Sequence, residues 1–208
     1  MDAGLAAVLG ATVGALGTAA AAASAALLSH STARHQVRTE TLQTLRESRR
    51  ATYASYAKTI DHYLDKLSTT LTPLHRVDRF PDQREVWIEN AHKRWKEALT
   101  YRQNEVDTQR VLLRLDATRP VAEAARQVAK WSVLLSRATG RAIAALKGQD
   151  LDTGPLSPPS TGYAQILTTE GFDPEEPDLD LLQSRAREAH DAFLSVAATD
   201  LGEDGTLA

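Results

Sequence analysis

Glu89 and His92 stand three residues apart in Glu89-Asn90-Ala91-His92, which puts a carboxylate and an imidazole on one face of a helix. Di-iron carboxylate bundles use two such pairs plus two further glutamates, all pointing inward. This chain offers one pair, and His92 sits among Lys93, Arg94 and Lys96, whose charge disfavours a cation. A solvated surface is expected there, with no metal ligand assigned. Asp61, His62 and Asp65 fall within one helical turn and have the residue types of general acid–base work. No second convergent set accompanies them, so a surface network with Lys58 and Lys66 is expected. The sequence has no nucleotide-binding loop, nucleophile elbow or zinc-protease helix. It has no cysteine, which removes disulfides, thiol nucleophiles, Cys-ligated metals and a lipidated cysteine. No catalytic residue and no cofactor is assigned, and an enzyme is not expected.

Arg84, Trp87, Lys93, Arg94, Trp95, Lys96 and Arg102 interleave basic and aromatic side chains, as single-strand binders do. Here the tryptophans are expected to anchor a core, with the bases on its wet face, so nucleic acid is not an expected partner. A further basic stretch comprises Arg34, Arg38, Arg46, Arg49 and Arg50, diluted by Glu40 and Glu47. Arg34 and Arg38 are the expected contacts to anionic headgroups, each gaining roughly 1 kcal/mol near such a surface. A helix rising from the bilayer would carry the later arginines beyond the screening length of about 8 Å. His30 and His35 flank the same region and are read as ordinary interfacial histidines.

These groups need a scaffold. Aromatics are only 5% of the 208 residues and alanine supplies much of the apolar share, which favours helices packed through small side chains and leucine over a sheet. Ala3 to Ser29 is uncharged and as a helix would span roughly 40 Å, against about 30 Å of hydrocarbon. Its strongly apolar members are few: Leu5, Val8, Leu9, Val13, Leu16, Leu27 and Leu28. The expectation is a transmembrane anchor over 1–30. A cleaved secretory signal is the rival reading, but a signal wants positive charge before the apolar run, and only Met1 and Asp2 stand there. Arg34 and Arg38 follow the run instead, which by the positive-inside rule puts the C-terminal domain in the cytoplasm. Gly10, Gly14 and Gly17 share one face of the segment, and close backbone approach along it would support self-association in lipid.

Beyond the anchor, an all-α fold is expected: an antiparallel bundle of three long helices over 31–148, plus a shorter C-terminal helix. The first runs from Thr39 to Leu71, with Leu42, Leu45, Tyr53, Tyr56, Ile60, Tyr63, Leu67, Leu71 and Leu74 recurring at steps of three and four. Pro73 and Pro81 bracket a turn. Asp82 and Glu85 form a capping-box pattern opening the second, whose stripe is Ile88, Trp95, Leu99, Val106 and Leu113. The third starts at Pro120 and ends near Gly148, burying Val121, Ala125, Val128, Leu135, Ala142 and Leu146. Gly, Pro, Ser and Thr mark 149–172 as an exposed linker. An acidic helix over 173–198, opened by Asp173-Pro174-Glu175-Glu176, repeats Leu182, Ala186, Ala189, Phe193 and Val196, and 199–208 form a frayed tail. Whether that helix docks or stays loose is open at this level. From Glu170 onward 11 acids face only Arg185 and Arg187, a balance suited to a basic partner surface if the segment is free.

The opening Gly4-Leu5-Ala6-Ala7-Val8-Leu9-Gly10-Ala11-Thr12-Val13-Gly14 and the later Arg49-Arg50-Ala51-Thr52-Tyr53-Ala54-Ser55-Tyr56 resemble a group of small actinobacterial single-pass membrane proteins. That group has an Ala/Gly-rich membrane helix and then an Arg-rich helix with an Arg-x-x-Tyr-x-x-aromatic signature, Tyr56 standing here where Phe is expected. Some members are described as KilB-like, after a plasmid-transfer function. The resemblance covers about the first seventy residues, implies anchorage and a helical fold, and carries no catalytic residues. The leading expectation is a membrane-tethered interaction or scaffold protein whose partners are the bilayer, a further copy through the membrane helix, and an unidentified protein. A secreted helical protein and a metal-dependent bundle enzyme are the alternatives.

Overall fold

The computed structural model describes residues 40, 41, 43–148 and 161–202, and every regular element among them is helical. The chain divides into two compact units, Met1–Ser48 and Arg49–Ala208. No helix among the described residues is long and apolar enough to cross a membrane. The expected anchor lies outside them, as do Gly10, Gly14, Gly17, Arg34 and Arg38.

In the second unit, α1 covers 49–77. Its expected stripe is buried from Tyr53 through Tyr56, Ile60, Tyr63, Leu67 and Leu71 to Leu74, because steps of three and four keep one face inward. Burial begins at Tyr53, opposite the ends of the partner helices, and Leu45 is exposed. The helix continues past Pro73, where the spacing predicted a stop. Proline has no N–H to give the carbonyl four residues back, that of Thr69. The Arg94 guanidinium, reaching from the next helix, donates to that carbonyl at 2.8 Å. Arg94→Ala should therefore lower unfolding free energy by about 1 kcal/mol, measured by urea denaturation, while Arg94→Lys recovers part of it.

A 3-10 turn at Pro81–Gln83 leads into α2 (Arg84–Tyr101), and no side chain caps either N-terminus, so the Asp82/Glu85 capping box does not form. A π turn at Arg102–Val106 joins α2 to α3 (Asp107–Asp116) in one continuous rod. The turn has a packing consequence. A strict seven-residue register through Ala91 and Ala98 would next bring Glu105 and Leu112 to the core. A π turn inserts one extra residue. Val106 and Leu113 take the buried places, and Leu112 is left 46% exposed.

α4 (Arg119–Leu146) begins as expected with Pro120 in its first turn, and it ends just before Gly148, whose φ of +63° is cheap only for glycine. Ala142 and Leu146 are half-buried rather than core. Between Ser132 and Ala144 the helix is instead buried around much of its circumference: Ser132, Leu134, Leu135, Ser136, Ala138, Thr139, Gly140 and Ile143 are all inside. Ser136 and Gly140 form a shallow channel for Trp95 of α2, whose indole N–H donates to the Ser136 carbonyl at 2.9 Å.

Within the stretch expected as linker, Thr161–Thr169 form α5. Tyr163, Leu167 and Phe172 are buried, the Phe172 ring lies 6.1 Å from that of Trp131, and Lys130 pairs with Glu170. Apolar residues at Tyr163 and Leu167, four apart, were enough to dock a short helix despite its breaker-rich surroundings. The last helix, α6 (Leu179–Leu201), starts later than expected. Asp178 caps it by accepting from the Leu181 amide at 2.9 Å, whereas Asp173 closes a local turn on the Glu175 amide. α6 is docked. Leu182, Ala186, Phe193, Ala197 and Leu201 enter the core, against α4 and against α1, where Phe193 meets Tyr56, and Gly202 ends the helix at φ +71°.

Cross-helix contacts define the topology. Along α1, Thr52, His62 and Thr69 meet Asp116, Tyr101 and Arg94 in descending order, so α1 and the α2–α3 rod are antiparallel. Ser68, Asp61 and Tyr53 meet Gln183, Arg187 and Asp200, so α6 is antiparallel to α1 as well. α1, the α2–α3 rod, α4 and α6 make an up-down-up-down bundle with one shared core.

Candidate interaction surface

One end of the bundle gathers the start of α1, the α3–α4 turn and the end of α6. The Tyr53 hydroxyl donates to Asp200 Oδ2 at 3.0 Å, and Thr118 Oγ1 donates to Asp200 Oδ1 at 2.7 Å. Thr52 Oγ1 donates to Asp116 Oδ2 at 2.9 Å. Thr118 sits at the N-cap of α4 but makes no side-chain cap; its hydroxyl serves the Asp200 carboxylate instead. Burial pushes the Tyr53 phenol up, as does Asp200, against a hydrogen bond from the Thr118 amide, so Tyr53 keeps its proton for that bond. The three helices are thereby pinned where the chain enters from residues 1–48.

Beside this clamp, α3 and α4 enclose a cleft of about 240 Å³. Leu113, Ala122, Ala125 and Ala129 line its floor, and Arg110, Arg114 and Arg126 stand around its rim. Arg110 pairs with Asp107 at 3.0 Å and Arg126 with Glu123 at 2.7 Å, both across one turn on exposed surface. Such pairs contribute only about 0.3–0.5 kcal/mol, so either arginine can exchange its partner at little cost. Arg114 and Arg119 are exposed and have no ion-pair partner among the described residues. Next to the rim, Val111, Leu112 and Leu115 are 56%, 46% and 78% exposed. Positions 111, 112 and 115 share one face of α3, so the apolar side chains form a patch.

The clusters singled out from spacing have structural roles. Asp61 and Asp65 both receive the Arg187 guanidinium of α6, Asp61 at 2.6 Å. The expected partners Lys58 and Lys66 are not the ones they take; Arg187, in the acidic segment, was the missed cation. Burial lowers the Arg187 pKa, but its two carboxylates outweigh this and raise it overall. His62 packs edge-on against Tyr101 at 4.9 Å. Glu89 pairs across the bundle with Lys147 at 2.8 Å, and bonding to Lys147 draws its carboxyl below the usual range. Among the described residues no three His, Asp or Glu side chains gather as metal ligands would. Trp95 is a core anchor; Trp87 is half-buried beneath Arg76, whose guanidinium lies 4.9 Å from its ring. Lys66, Lys93 and Lys96 share a shallow groove with Tyr101, but Glu97 and Glu105 line it too. His190, which spacing did not single out, is buried with Nε2 3.2 Å from the Ala57 carbonyl. A lone histidine on an otherwise apolar helix face carried no signal for that contact.

His92 has a pH consequence. Burial, then the charges of Lys147 and Lys96, hold its imidazole below the ordinary 6.5. The unfolded chain therefore binds a proton that the fold resists, and stability should fall as pH drops from about 6.5 towards the lower folded value. His92→Gln should flatten that slope in thermal melts across this window. An unchanged slope would place the proton uptake elsewhere.

Comparison with protein-family models, with curated proteins and with solved structures finds no match for this chain.

Proposed function

We propose that the protein is a single-pass, membrane-anchored interaction or scaffold protein, without enzymatic activity, whose helical bundle stands in the cytoplasm. One observation carries this reading: an uncharged run, Ala3 to Ser29, is followed by Arg34 and Arg38 and then by a domain with its own core. Water is a poor solvent for the first, and the positive-inside rule orients the second. The charged groups of the bundle support a binding rather than a catalytic role, because Asp61, Asp65, Glu89 and Asp200 are committed to ties between helices. Gly10, Gly14 and Gly17 would allow two membrane helices to pack, and the resemblance to KilB-like proteins suggests work in plasmid transfer with a protein partner.

Membrane fractionation with protease treatment of a C-terminal tag tests the topology. The tag should sediment with membranes and be cut only after the cells are opened. A soluble, unprocessed chain would overturn the reading, and a mature N-terminus beyond Ala26 would favour the secreted alternative.

A further inference from the structure

We infer that the α3 patch is a second, peripheral membrane contact, by which the bundle lies down on an anionic bilayer; this rests on the anchored reading above. Exposed Val111, Leu112 and Leu115 share α3 with Arg114; Arg114 and the nearby Arg119 have no ion-pair partner among the described residues, and Arg110 and Arg126 of the adjoining cleft are only weakly paired. Apolar side chains flanked by arginine are the composition of interfacial helices, whose apolar face enters the headgroup boundary while the cations meet phosphates. Arginine suits the role because its fork binds phosphate oxygens in pairs and its stem tolerates apolar surroundings.

Two further observations select a bilayer over a protein partner. The first is place. Leu115 adjoins Asp116, which is hydrogen-bonded to Thr52 at 2.9 Å, and Thr52 is three residues from where the unit begins at Arg49. The patch is thus on the end of the bundle nearest the covalent link to the anchor. The second is reach. Residues 30–48 connect the proposed span to the bundle, and a stretch of that length covers about 29 Å if helical. A domain held within that distance of a surface meets it at a high effective concentration, so modest attraction suffices.

The chain has no cysteine, so Leu115→Cys gives a single site for an environment-sensitive fluorophore in the full-length protein. Asp78→Cys, exposed in the turn after α1 at the far end, is the control. Both are reconstituted in phosphatidylcholine vesicles with or without phosphatidylglycerol, and flotation is read beside fluorescence. The expected result is flotation with both vesicle types and a blue shift with a severalfold intensity gain at position 115 only when phosphatidylglycerol is present. Adding Arg114→Glu and Arg119→Glu should abolish that gain without affecting flotation. Flotation with no response at position 115, or an equal response at position 78, would overturn the lipid patch and leave the anchor standing. Failure to float with phosphatidylcholine would overturn the anchor; in that case a response at 115 with anionic vesicles still supports the patch, and none rejects both.

Discussion

Phe193→Ala should lower the unfolding free energy by about 3–5 kcal/mol, the cost of emptying a buried aromatic site. Phe193 is 0% exposed and meets the Tyr56 ring edge-on, with centroids 5.1 Å apart, so the substitution removes both transfer energy and a specific ring contact. Tyr56 anchors its own hydroxyl near the Ala125 carbonyl at 3.4 Å and is held by α4, so it cannot swing into the space. For a domain of this size the melting midpoint should fall on the order of 10 °C, measured by circular dichroism. A change below about 1 kcal/mol would mean that α6 is dispensable, and that the acidic segment is free to serve a partner after all. If the expected loss is seen, α6 is a wall of the core and the acidic residues it carries are held in the bundle.

Gly140→Ala is the second large effect, and its sign is contested by two terms. Alanine in a helix interior is favoured over glycine by roughly 0.5–1 kcal/mol. Against this, a Cβ at position 140 would lie 2.5 Å from Cζ2 of Trp95 and 2.9 Å from Cε2. The indole cannot yield easily, because it is buried and its N–H is committed to the Ser136 carbonyl at 2.9 Å. Overpacking of this kind costs about 1–3 kcal/mol, so the net result is destabilisation of about 1–2 kcal/mol, more for Gly140→Val. The two positions must also couple. In a Trp95→Phe background the smaller ring leaves room, and Gly140→Ala should become neutral or stabilising. A double-mutant cycle by chemical denaturation measures this, and strict additivity would mean that the clash is relieved by backbone movement instead.

The stripe of α1, the Pro120 start of α4 and its stop at Gly148 were legible in the chain alone, because each depends on neighbours within a few residues. Helical period, a locked proline φ and glycine's access to positive φ are local properties. The interaction surface was not legible. Val106 and Leu113 were on the expected stripe and are buried, but nothing local says that Val111, Leu112 and Leu115 are left uncovered on the outer face or that a π turn sets the register between α2 and α3. Arg187 looked like a stray cation in an acidic segment until α6 was laid against Asp61 and Asp65. Pro73 ended a helix by every local rule, yet Arg94, distant in sequence, supplies the donor the proline lacks. Gly140 is one small residue among many until Trp95 arrives from another helix. What the sequence by itself determined is where helices form and which side of each avoids water. Which helix meets which side, whether the acidic segment docks, and which apolar residues are left outside were decided only by the tertiary structure, because such choices depend on contacts between residues far apart in the chain.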